Sequence, residues 1–180
     1  MSDLSDRLLA MHRALEGAGF PHAFGGAIAL AYCTQEPRGT RDLDVNVFVP
    51  ADRSGGVLDA LPEGVAVSDS DKTVARRNGQ VRIMWDQTPV DLFFETDEFH
   101  REAAAGVHMV PFEGEQIPVL GCDTLIVFKA MFNRTRDWAD IEAILESGAT
   151  SGRTALESVR SIMGASDPAA ARLASLVEQP

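Results

Sequence analysis

Apolar positions along the chain follow two periods, and the change from one to the other divides it. Leu4, Leu8, Met11 and Leu15 recur at helical intervals, which predicts a helix over residues 3–17 with Gly17 and Gly19 placed to end it. A short strand over residues 20–24 leads through Gly25-Gly26 into a helix of small residues, 27–32. The polar stretch 34–41, with Pro37 and Gly39, reads as a loop. Alternation then sets in: a strand over 43–49 closed by Pro50, a short one at 65–67, and a pair over 81–85 and 90–94 around a turn at Asp86 to Thr88. Helices are predicted around 52–61, over 69–77 (stopped by Asn78-Gly79, with Asp69-x-Asp71 at its N-cap) and over 97–105; two further strands follow at 107–112 and 116–120. From Asp123 onward the period is helical throughout, over 123–133, 137–146, 154–163 and 168–178, with a loop from Ser147 to Gly152. The expectation is an α+β protein: a mixed α/β core over 1–121 and a helical C-terminal part, 122–180, packed on it as a single compact protein.

A length of 180 residues suits one such domain, and 45% hydrophobic residues can build its core without staples. Cys33 and Cys122 are too few for a disulfide scaffold or a zinc site and read as small core residues. No apolar run approaches the roughly 20 residues that span a bilayer, and the acidic N-terminus lacks a signal-peptide pattern. A soluble cytoplasmic protein with no membrane partner is the reading. The formal net charge of −11 excludes a protein that coats nucleic acid through a broad basic surface; it leaves room for a local basic groove, a cationic substrate, or metal ions held by carboxylates.

Candidate chemistry begins with carboxylates. Asp42-Leu-Asp44 opens an apolar strand, where alternation puts Asp42, Asp44 and Asn46 on one face and Leu43, Val45 and Val47 on the other. Two aligned carboxylates repel unless a cation lies between them. Spacing alone is weak, since Asp69-x-Asp71 repeats it. Asp91 lies inside the apolar run Val90 to Phe94, where a charge is costly unless it is coordinated, paired with an arginine such as Arg82, or turned to solvent at an edge. If the two strands are neighbours, Asp42, Asp44 and Asp91 converge into the oxygen-rich set that Mg²⁺ (or Mn²⁺) prefers. Gly25-Gly26, between strand and helix, allows close backbone approach and offers helix N–H groups to a phosphate, or is simply a tight turn. Finally, on one continuous helix Lys129, Asn133, Arg136 and Asp140 would share a narrow stripe; a break at residues 133–135 would change which of them meet.

Gly-Gly before a helix, Asp-x-Asp on the next strand and a lone Asp on a later one together resemble the nucleotidyltransferase superfamily with the DNA-polymerase-β-like fold. The run Lys129-x-x-x-Asn133-Arg134-x-Arg136-Asp137-x-x-Asp140 is similar to the third motif of the AbiEii-type abortive-infection toxins, the branch that includes the MenT toxins. The likeness covers residues 24 to about 145. Many members carry Gly-Ser where this chain has Gly25-Gly26.

The resemblance implies the nucleotidyltransferase fold, a small mixed sheet flanked by helices, and an enzyme that moves a nucleoside monophosphate from an NTP to an acceptor hydroxyl and releases pyrophosphate. Asp42 and Asp44 would hold Mg²⁺, and Asp91 would be a further ligand or the base. Gly25, Gly26 and Lys129 would meet the triphosphate, with ATP among the candidate nucleotides, and Arg136 and Asp140 would position nucleotide or acceptor. Toxin relatives modify tRNA ends, which makes RNA the first acceptor and an antitoxin protein a possible partner. Antibiotic nucleotidyltransferases acting on aminoglycosides or lincosamides are the second reading, suited to the acidic charge. A non-catalytic binding module is the third; intact Asp42, Asp44, Asp91 and Lys129 argue against it. Lys72, Arg76 and Arg77 on the helix 69–77 would form a basic ridge for an RNA acceptor, or a solvated face. The four histidines show no metal-ligand spacing, and the tryptophans read as packing.

Overall fold

The computed structural model describes residues 4–37 and 39–178; the first residues of the acidic N-terminus, including the expected helix start at residue 3, and position 38 of the expected loop lie outside them. In chain order the elements are α1 (Leu4–Gly17), β1 (His22–Phe24), α2 (Gly26–Thr34), β2 (Leu43–Pro50), α3 (Ser54–Asp59), β3 (Val65–Ala66), α4 (Asp69–Asn78), β4 (Gln80–Trp85), β5 (Thr88–Glu95), α5 (Glu98–Ala103), β6 (Val107–Phe112), β7 (Glu115–Leu120), α6 (Cys122–Phe132), α7 (Thr135–Glu146), α8 (Arg153–Met163) and α9 (Pro168–Val177). Two expected helices are shorter than the sequence pattern indicates. Ala51–Arg53 and Ala104–Gly106 are 3-10 turns, and the weak helix formers Gly55-Gly56 limit α3 to six residues. The α4 N-cap is Ser68 rather than Asp69: its hydroxyl accepts from the Asp71 N–H, and the Asp71 carboxylate accepts from the Ser68 N–H at 2.8 Å.

The described residues divide into two compact units: one of residues 4–26 and 39–119, the other of 27–37 and 120–178. Most of α2 therefore groups with the C-terminal helices rather than with the core that the sequence pattern assigned it to.

The first unit is built on a seven-stranded sheet of order β3-β4-β5-β2-β1-β7-β6. The sheet is mixed: β2 runs parallel to β5 and β1 parallel to β7, while β1–β2, β3–β4 and β4–β5 are antiparallel. Strand alternation gives it two unlike faces. Leu43, Val45, Val47, Val90 and Leu92 are fully buried, and Val81, Ile83 and Trp85 nearly so. Each such side chain contributes roughly 1.5–3 kcal/mol of burial. Leu8, Met11 and Leu15, the apolar stripe of α1, are fully buried as well. Buried Arg7 ties α1 to the β4–β5 turn: its guanidinium donates to the Trp85 carbonyl at 2.7 Å, to Asp86 at 2.8 Å and to the Thr88 hydroxyl. The other face carries Asp44, Asp91 and Arg82 on β2, β5 and β4.

The second unit is helical. Ile126, Ala130, Trp138, Ile141, Ile144, Val159 and Leu173 fill its interior. Cys33 of α2 and Cys122 of α6 form a disulfide with Cα atoms 5.7 Å apart. This corrects the reading of both as separate small core residues: 89 positions apart in sequence, they are brought within bridging distance only by the packing of their helices. Among the described residues no helix is long and apolar enough to cross a membrane.

Candidate active site

The acid face of the first unit follows from strand register. Asp44 on β2 lies directly opposite Asp91 on β5, and Asp91 lies directly opposite Arg82 on β4. Cross-strand partners project to the same side, so register alone aligns Asp44, Asp91 and Arg82 in one row. Asp42 stands just before β2, its turn closed by reciprocal 3.3 Å bonds with the Thr40 hydroxyl.

Arg82 engages two of the three carboxylates. Its Nε donates to Asp91 Oδ1 at 2.8 Å and its Nη2 to Asp91 Oδ2 at 2.6 Å, the two-pronged geometry that a guanidinium favours. The same Nη2 lies 3.5 Å from Asp42 Oδ2. Hydrogen bonding to Asp91, and the charges of Asp91, Asp42 and Asp44, hold the Arg82 guanidinium even more firmly protonated than usual. Of the alternatives open for Asp91, pairing with Arg82 is the one adopted. Among the described residues no three His, Cys, Asp or Glu side chains close into a metal-binding group; the guanidinium stands among the carboxylates that would form one.

The strand-to-helix turn beside the row fits it closely. The Gly25 N–H donates to the Asp44 carbonyl at 2.9 Å, which commits that donor to the fold. Gly26, the first residue of α2, has φ +49°, and a β-carbon built on it would lie 1.9 Å from Asp44 Oδ2. Only glycine leaves room for the carboxylate in this position.

Asp42, Asp44 and Asp91 are hard oxygen donors on one partly exposed face, the chemistry suited to Mg²⁺ or Mn²⁺. The glycine cradle keeps Asp44 on that face. The donor set therefore fits a divalent cation, with Asp42 and Asp44 as the pair that would hold it.

The third-motif residues lie in the second unit, and of the two arrangements left open the break at residues 133–135 is the one adopted. Asn133 ends α6 in the left-handed conformation, φ 54°, and its side-chain oxygen accepts from the Trp138 indole at 2.7 Å. The chain bends here, so Lys129 meets Asp140 across the α6–α7 junction. The Lys129 ammonium donates to Asp140 Oδ2 at 2.6 Å and lies 3.7 Å from Asp137 Oδ1, with all three residues buried. Asp137 also accepts from the Arg134 N–H at 3.1 Å and from its Nε at 2.7 Å. Arg136 is exposed. On α4, Lys72 pairs with Asp59, while Arg76 and Arg77 are exposed.

Sequence reasoning named Arg82 only as one possible partner of Asp91 and missed its contact with Asp42. A basic residue on the strand preceding the lone Asp was the available signal. It also missed a buried imidazole pair: His22 Nδ1 donates to the Phe20 carbonyl at 2.8 Å, which leaves Nε2 to accept from His12 Nδ1 at 3.0 Å. Burial pushes the His22 pKa below the ordinary imidazole value, reinforced by the neighbouring His12 and opposed by the Phe20 bond and Glu16.

No protein-family model and no curated protein matches the chain. Solved structures do. The antibiotic-resistance factor ANT(2'')-Ia, in complex with adenylyl-2''-tobramycin, superposes with a TM-score of 0.62 at 15% identity, covering 87% of this chain and 97% of that one. An antigenic nucleotidyltransferase-like protein from Paracoccidioides brasiliensis gives 0.52 at 15% identity, over 97% and 93% of the two chains. The lincosamide antibiotic adenylyltransferase LnuA, bound to lincomycin, gives 0.53 at 11% identity, over 77% and 94%. The chain thus has the nucleotidyltransferase fold.

Proposed function

We propose that this protein is a metal-dependent nucleotidyltransferase that transfers a nucleoside monophosphate from an NTP to an acceptor hydroxyl and releases pyrophosphate. The observation that carries the reading is the Asp44–Asp91 cross-strand pair beside Asp42, on a partly exposed sheet face whose neighbouring turn is shaped around the Asp44 carboxylate. When bound, a divalent cation would supply charge neutralisation on the phosphate oxygens. Asp42 and Asp44 would be its ligands. Phosphate oxygens would meet the N–H groups at the start of α2, since Asp44 takes the Gly25 N–H and the space beside Gly26. Asp91 either adds a ligand or accepts the proton of the attacking hydroxyl; in both roles it must first leave Arg82. In the helical unit Lys129 and Asp140 hold the α6–α7 junction, and exposed Arg136 is the side chain of that run assigned to nucleotide or acceptor.

An RNA end is the acceptor implied by the AbiEii-type resemblance, with Arg76 and Arg77 as phosphate contacts and an antitoxin as the protein partner. A cationic small molecule is the second reading. The net charge of −11 favours it, as does the Lys72–Asp59 pair, which removes one cation from the ridge. Two of the fold neighbours are antibiotic-modifying proteins in their own right.

The test incubates the protein with each labelled NTP and Mg²⁺, with total RNA in one arm and an aminoglycoside and lincosamide panel in the other. Labelled acceptor should form with the wild type and be lost in both Asp42→Ala and Asp44→Ala. Full transfer by both variants would end the metal assignment.

A further inference from the structure

The carboxylate row already holds a cation, and the cation belongs to the chain. Arg82 takes both oxygens of Asp91 and reaches Asp42 with the same Nη2. Three carboxylates on one sheet face repel one another, and a guanidinium among them relieves that repulsion when nothing else does. Asp91 also gains the partner that a charge in an apolar strand requires.

Arg82 is held lightly. Its side chain is 59% exposed, against 16% for Asp91. Among the described residues its guanidinium bonds to no group other than these carboxylates. It lies on the outward-facing side of β4 with Gln80 and Met84, so its flexible stem can swing into solvent without disturbing packed residues. The pair is two-pronged but open to solvent on the arginine side, so a stronger competitor can displace the guanidinium, and a doubly charged ion on hard oxygens is one.

We propose that Arg82 is a displaceable internal cation: it occupies the Asp42–Asp91 position in the metal-free protein, and a divalent ion must compete with it for these carboxylates. This rests on the reading of Asp42, Asp44 and Asp91 as the metal-binding face. Arg82 then sets a threshold for the cation. It keeps Asp91 engaged at both oxygens, and so unavailable as ligand or base, until the divalent ion arrives. Monovalent ions, with half the charge, compete poorly against a two-pronged guanidinium.

The experiment is a Mn²⁺ titration without nucleotide, following free Mn²⁺ by electron paramagnetic resonance, on wild type, Arg82→Gln, Arg82→Lys and Asp42→Asn, each checked for folding by its thermal melt. Arg82→Gln should bind Mn²⁺ about three- to tenfold tighter than wild type, the range expected for releasing an exposed ion pair and a nearby like charge. Arg82→Lys, which keeps the charge and loses the fork, should fall between them, and it serves as the reporter if the Gln variant does not fold. Equal or weaker binding in Arg82→Gln (in Arg82→Lys if only that variant folds), with binding lost in Asp42→Asn, would overturn the displaceable cation and leave the metal site standing. Unchanged binding in Asp42→Asn, or no binding by any variant, would overturn the metal reading and the proposal with it.

Discussion

Gly26 and Asp44 share a space that admits only one of two things, a β-carbon or a carboxylate. A β-carbon on Gly26 would lie 2.5 Å from Asp44 Cγ and 3.0 Å from its Cβ, so turning the carboxyl group alone does not clear the overlap. A glycine at position 26 is thereby tied to where this chain keeps Asp44. Gly26→Ser should move the carboxylate off the row and strain a left-handed backbone, costing about 1–3 kcal/mol of stability. Transfer should fall about a hundredfold, as for an ångström-scale misplacement of a reacting group. A kinetic assay beside a thermal melt checks this; a Ser variant with wild-type turnover would show that Asp44 does not need the cradle.

Lys129 and Asp140 form a buried pair, and removing one member strands the other's charge. Lys129→Ala should therefore destabilise the helical unit by about 3–5 kcal/mol, while Lys129→Met with Asp140→Leu should cost far less. A double-mutant cycle by denaturant unfolding reads the coupling. If Lys129→Ala abolishes NTP binding while its unfolding midpoint stays at the wild-type value, the residue serves phosphate rather than the junction.

Stability should fall with acid through His22. Its folded-state pKa is lowered by burial, so the unfolded chain binds the proton more readily and stability rises with pH. The penalty is absent above the unfolded value of about 6.5 and full once pH drops below the folded one. Melting temperature should decline from about pH 7 toward pH 5, and His22→Gln should flatten that slope. A pH series of thermal melts with an equal slope in both proteins would remove His22 from the account.

Reduction of Cys33–Cys122 should loosen the helical unit. The bond closes a long loop, its ends 89 positions apart, and in the chain-entropy picture such a crosslink contributes on the order of 4 kcal/mol. Denaturant unfolding with and without a thiol reductant measures it, and Cys33→Ala with Cys122→Ala should match the reduced protein. Coincident curves in all three cases would mean that the bond adds nothing to stability.

The acceptor can be separated through α4. Lys72→Ala with Arg76→Ala should weaken RNA binding and reduce the slope of log K against log salt by about one unit for each phosphate-binding cation removed. The Lys72–Asp59 pair makes the Lys72 share the smaller one. A cationic drug should be modified by this variant as well as by wild type. Intact RNA modification would sink the basic ridge, and transfer to the drug panel alone would put the small-molecule reading first.

Local periodicity and composition were enough for the elements. Alternation along Leu43 to Val49 assigned Asp44 and Leu43 to opposite faces, and the structure buries Leu43 while leaving Asp44 partly accessible, because a strand's two-residue period is a property of the backbone itself. Helix ends were legible where glycine marks them, as at Gly79, displaced by one residue at the Ser68 cap of α4, and blurred where Gly55-Gly56 or the 3-10 turns weaken the period. Three relationships lay beyond local reading, each depending on which distant segments become neighbours. Asp44 faces Asp91 because β2 and β5 pair in parallel in one register out of several. Arg82 enters the row only through the β4–β5 pairing. Lys129 meets Asp140 because Asn133 adopts a left-handed conformation and breaks the stripe that a continuous helix would have shown. The disulfide belongs with these: two cysteines 89 positions apart carry no mark of each other until α2 and α6 pack. Periodicity is written into consecutive residues, whereas strand register and helix packing are chosen by the burial of the whole set of apolar faces, and only that choice brought these charges and sulfurs together.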